Sequence, residues 1–75
     1  MSSIEEKRES FISLAESRTN KAMDTIKLIG NLSNRSYYDY TPDQVNAIFS
    51  ALQSELTTQK KKYDLALNKK RKFRL

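Results

Sequence analysis

The residues of this chain best suited to chemistry fall in two clusters. One is the stretch 31–41, NLSNRSYYDYT, with three tyrosines, two asparagines, two serines and an arginine. Tyrosine rings and a guanidinium plane stack on bases, asparagine donates and accepts on base edges, and serine hydroxyls bind phosphate oxygens. Asn31, Ser33, Asn34, Arg35, Tyr37 and Tyr38 are therefore candidates for gripping a nucleotide, with Ser36 beside them. Aromatic rings are also large apolar plugs, so Tyr37 and Tyr38 can equally close the end of a helical core. The second cluster is Arg18 with Thr19, Lys21 and Thr25. A guanidinium there can bind a phosphate with two parallel hydrogen bonds. The alternative is an arginine that snorkels to water, or that pairs with Glu16, Asp24 or a carboxylate of another chain.

Both clusters suit binding better than catalysis. The chain has neither histidine nor cysteine, which removes the usual general base, the usual partner of a nucleophile, the commonest zinc ligand and any thiolate. Glu5, Glu6, Glu9 and Glu16 read as a solvated acidic face, with no carboxylates at metal-ligand spacing. No enzyme, metal or cofactor is expected.

Two helices must position these clusters. In the first, Ser3-Ile4-Glu5-Glu6 is a capping box, and an apolar stripe follows through Phe11, Leu14/Ala15, Ala22, Met23/Ile26 and Ile29 at helical spacing. Gly30 then predicts a left-handed C-cap, which gives a helix over about 4–29. Arg18 lies on the line between Ala15 and Ala22, where a core side chain belongs. Small neighbours on that line permit another helix to approach closely. For the second helix, Thr41-Pro42-Asp43-Gln44 places threonine at the N-cap, proline at N1, an acid in the first turn and glutamine at N3. Tyr40 and Val45 are then the partners of a hydrophobic staple. The stripe runs on through Ile48/Phe49, Leu52, Leu56, Gln59, Tyr63 and Ala66, so the helix spans about 42–70 and frays where positive charge accumulates after Lys69.

At 75 residues the chain is one domain, 1–75, with the loop 30–41 between the helices. The expected fold is all-α: two helices of about 40 Å each, forming an antiparallel hairpin. Two helices cannot cover both stripes together with the off-centre Ile12, Leu28, Leu65 and Leu67. This surplus predicts packing against copies of the same chain.

The formal charge of +5 is uneven. Residues 60–74 carry eight basic residues against one acid, hence +7, while residues 1–59 carry six against eight, hence −2. That basic end, KKKYDLALNKKRKFRL, interleaves cations with Tyr63 and Phe73. It either binds nucleic acid or an anionic surface electrostatically or is a solvated helix end, and solvation is favoured. No apolar run approaches the roughly 18 residues of a membrane span. MSSIEEKRES does not read as a signal peptide, so the sequons at Asn31 and Asn34 carry no weight.

The run Arg18…Lys21…Ile26…Gly30-Asn31-Leu32-Ser33-Asn34-Arg35-Ser36-Tyr37-Tyr38-Asp39-Tyr40-Thr41, with Val45…Ile48-Phe49…Leu52, resembles a helical-hairpin domain of phage anti-defence proteins. The anti-CBASS cyclic-nucleotide sponges and the Thoeris anti-defence sponges share that domain. The resemblance spans roughly residues 10–65, and IGNLSNRSYYDYT is its most specific part. It implies a compact homohexamer of hairpins that sequesters cyclic di- or trinucleotide second messengers without cleaving them, in the cytoplasm of an infected bacterium. In the anti-CBASS members, dinucleotides sit in pockets between protomers and trinucleotides near the three-fold axes. The Thoeris members use additional structure that this short chain lacks. One arginine per chain at a three-fold axis becomes three guanidiniums facing a three-phosphate ring, which fits Arg18. The runner-up is a small basic helical phage protein that binds nucleic acid or a host protein.

Overall fold

A computed structural model describes residues 3–68. Among these the protein is all-α, with helix α1 over Ile4–Asn31, helix α2 over Pro42–Leu67 and no strand. The chain divides into two units between Asp39 and Tyr40.

The start of α1 follows from one side chain. Ser3 adopts an extended conformation, and its hydroxyl accepts from the Glu6 backbone N–H at 3.1 Å, which satisfies one donor that the first turn leaves over. Glu5 and Glu6 place negative charge at the positive end of the helix dipole. The helix does not stop at Gly30. Its last residue is Asn31, Leu32 caps it in a right-handed conformation, and no described residue has a positive φ. The expected left-handed cap at Gly30 is thus corrected, for a specific reason. Leu32 N–H donates to the Ile29 carbonyl and Ser33 N–H to the Gly30 carbonyl, each at 3.1 Å. A 3₁₀-like tightening of this kind satisfies terminal carbonyls without any left-handed residue.

The start of α2 is capped from both sides. Gln44 N–H donates to the Thr41 hydroxyl at 3.2 Å, and Thr41 N–H donates to Gln44 Oε1 at 2.9 Å. Pro42 gives up no hydrogen bond at N1, and Asp43 faces the dipole. Tyr40 and Val45, at N′ and N4, are both half-buried, as staple partners should be. At the other end, Asn68 is the C-cap and its N–H donates to the Asp64 carbonyl at 3.0 Å. The expected continuation of the helix to residue 70, and the basic positions 69–74, lie outside the described residues.

The remaining half-buried residues are Ala15 and Ile29 on α1 and Leu52 on α2, all on the predicted stripes. Neither helix buries any residue outright. Gln59, the polar position on the stripe of α2, donates its amide to Glu55 Oε2 one turn earlier at 2.6 Å.

Candidate functional site

The unbroken course of α1 decides how its candidates relate. Arg18 and Thr25 lie two turns apart on one line, and Lys21 lies one turn from each along its flank. Thr19 and Lys21 are two positions apart, so they point to nearly opposite sides of the helix. One copy of α1 therefore offers Arg18, Lys21 and Thr25 to a common ligand but not Thr19 with them. Thr25 is also partly engaged, because its hydroxyl donates to the Lys21 carbonyl at 2.9 Å. An incoming phosphate would find an acceptor there, unless it displaced that bond.

Arg18 is exposed, and among the described residues it has no ion-pair partner. Asp24, one of the carboxylates weighed for it, instead approaches Lys27 at 4.0 Å in a pair that is 76% exposed on both sides. Such a pair contributes little. Among the described residues, then, no carboxylate neutralises the guanidinium, and its charge is available to an anion or to another copy.

The loop cluster is organised by Asn34. Its side-chain Oδ1 accepts from Ser36 N–H at 2.9 Å, and its main-chain carbonyl accepts from both Tyr37 N–H and Tyr38 N–H at 3.1 Å. Three successive amides thus converge on a single residue. The bond to Ser36 also assigns the amide, since only the oxygen can accept from a backbone N–H. Tyr37 and Tyr38 stand with ring centroids 6.5 Å apart and planes tilted by 58°, within the range of attractive tilted aromatic pairs. Tyr37 is 79% exposed and Tyr38 49%. Asn31 closes α1, Ser33 donates its N–H into the helix end, and Arg35 occupies the turn.

The two clusters are not one site. Arg18 and Asn31 lie thirteen positions apart along one continuous helix, roughly 20 Å at about 1.5 Å per residue. No side chain spans that gap, so a single chain presents Arg18 and Lys21 mid-helix and a separate aromatic loop beyond the helix end. What sequence reasoning missed is the division of labour at Asn34. The signal was present, because asparagine opening a turn bonds the backbone two residues on. Asparagine reads base edges with the same amide, and the sequence alone does not choose between these uses.

Among the described residues no group of carboxylates could hold a metal ion, and no helix is long and apolar enough to cross a membrane. Comparison with protein-family models, curated proteins and solved structures finds no match to this chain.

Proposed function

We propose that this protein is a phage anti-defence sponge that binds cyclic oligonucleotide second messengers stoichiometrically and does not cleave them. The observation that carries the reading is the loop. An exposed pair of tyrosines is held by a turn rather than by packing, beside asparagine, serine and arginine. Rings with an exposed face are suited to stacking on bases, and stacking accepts any base. Arg18, with Lys21 and Thr25 on the same side of α1, supplies the charge that phosphates require.

In the proposed assembly the two helices form an antiparallel hairpin and six hairpins close into a compact homohexamer. Exposed apolar surface supports this. Phe11, Leu14, Ile48, Phe49 and Leu56 are 41–65% exposed, and covering a side chain of this size contributes about 1.5–3 kcal/mol. Binding then takes place in the cytoplasm of the infected bacterium, where captured messenger never reaches its effector. The resemblance of IGNLSNRSYYDYT to the sponge domain points the same way.

A second reading draws on Lys60, Lys61 and Lys62, which α2 carries in sequence near its end. With the basic positions beyond Asn68 they suit nucleic acid or an acidic host protein. Native mass spectrometry of protein purified from bacteria that make cyclic nucleotides decides between them. The sponge reading expects a hexamer that retains cyclic-nucleotide mass. A folded oligomer with no bound small molecule, but with salt-sensitive affinity for nucleic acid, would favour the second reading.

A further inference from the structure

The loop assigns to Asn34 a role beyond the ligand contact that its side chain suggests. We propose that Asn34 is a positioning residue: it sets the geometry of the Tyr37–Tyr38 pair and does not itself touch the ligand. The role in binding rests on the sponge reading above, while the role in the loop does not.

Tyr37 is 79% exposed, so packing does not fix it, and the backbone must. Three successive backbone amides in this segment donate to Asn34: Ser36 N–H to Oδ1, Tyr37 N–H and Tyr38 N–H to the carbonyl oxygen. The Oδ1 bond closes a local turn that mimics a backbone turn and orients the carbonyl toward the next two amides. Removing it frees the turn at its base. The rings at 6.5 Å and 58° are then no longer held as a pair. A base stacking on one ring face would meet two independently moving rings, and ordering them would reduce affinity. Preorganisation makes this loop a platform, and Asn34 supplies it.

The Asn34 amide nitrogen donates to nothing among the described residues, so a competing role exists in which it reads a base edge. Aspartate separates the two roles. It keeps the oxygen that accepts from Ser36 and loses the amide donors, with nearly the same shape. Asn34→Ala removes both.

The test uses the full chain in two measurements. In ligand-free protein, NMR follows the exchange rates of the Ser36, Tyr37 and Tyr38 amides and the through-space contacts between the two rings. In parallel, calorimetry measures cyclic di-AMP and cyclic di-GMP in about 0.5 M salt, where exposed charges are largely screened. Positioning expects Asn34→Ala to speed exchange at all three amides and to abolish the ring contacts. It expects affinity to fall about fivefold, the share of one intramolecular hydrogen bond. Asn34→Asp should preserve the loop pattern and keep affinity within about twofold, well short of that loss. If Asn34→Ala leaves exchange and ring contacts unchanged, the positioning role is wrong. If Asn34→Asp keeps the loop pattern but loses affinity as Asn34→Ala does, Asn34 contacts the base and the proposal is overturned. If wild type binds neither probe, the sponge reading fails for these ligands, and the ligand-free measurement decides the loop role alone.

Discussion

At the scale of single residues, Arg18 and the tyrosine pair lie in different parts of the chain. Arg18 is mid-helix, exposed and without an ion-pair partner among the described residues, whereas Tyr38 sits in the loop, half-covered and paired with Tyr37. Roughly 20 Å of helix lies between the two positions. If the two clusters also stay apart in the assembly, a ligand held by one should be insensitive to the other. If Arg18 grips the phosphates of a cyclic trinucleotide, Arg18→Ala should cost at least the roughly 1.5–3 kcal/mol of a charge-assisted hydrogen bond. Three symmetry-related losses act on one ligand at a three-fold axis, so the measured effect should exceed that. Tyr38→Ala should instead cost about 1–3 kcal/mol on cyclic dinucleotides, the contribution of one stacked base. Calorimetry with one ligand of each ring size checks this, with the oligomer verified for both variants. Equal weakening of both ligands by both substitutions would exclude two separate sites. Indifference to both would leave Arg18 a structural residue and Tyr38 a plug.

At the scale of elements, the ends of the helices give the sharpest test. Gly30 lies inside α1 with right-handed backbone, and a methyl group added there would meet nothing within 4 Å. Gly30→Ala should therefore stabilise the protein by about 0.5–1 kcal/mol, because alanine has less freedom to lose on folding. Thr41→Ala should do the opposite by about 1 kcal/mol, since it removes the hydroxyl half of the capping box. Thermal unfolding should move by several degrees in opposite directions for a chain of this size. A destabilising Gly30→Ala would mean that the glycine adopts a left-handed conformation in the assembled protein. These same ends show what the sequence made legible. The start of α2 could be read to the residue, because Thr41, Pro42 and Gln44 act through bonds three positions apart. The stripes were legible in part: the half-buried residues of the two helices, Ala15, Ile29, Val45 and Leu52, fall on them, while Phe11, Leu14, Ile48, Phe49 and Leu56 on the same stripes are exposed. The end of α1 was not legible, because glycine permits a left-handed cap without requiring one, and the carbonyls of Ile29 and Gly30 found partners at Leu32 and Ser33 instead. For the candidate site, the line that carries Arg18 followed from periodicity. The role of Asn34 did not, because one amide serves a turn or a base equally well.

At the scale of the whole molecule, the question is what covers the apolar stripes. Neither helix buries a residue, and a chain of 75 residues has little interior to draw on. In the proposed assembly other copies cover these stripes, and folding and assembly become one equilibrium that depends on protomer concentration. Sedimentation at micromolar concentration should show one closed oligomer, a hexamer, whose unfolding midpoint rises with protein concentration. A well-folded monomer at that concentration would remove the basis for shared sites between copies. The charge distribution gives the companion experiment. The body of the chain, residues 1–59, is weakly acidic, and the +7 belongs to residues 60–74. Truncation after Asn68 deletes Lys69, Lys70, Arg71, Lys72 and Arg74, but leaves both candidate clusters and the described parts of both stripes intact. The truncated protein should keep the oligomer and bind cyclic nucleotides within several-fold of the full chain. Loss of all binding with helicity intact by circular dichroism would place the function in the basic end. A steep fall of nucleic-acid affinity with salt in the full chain, absent after truncation, would then identify the partner.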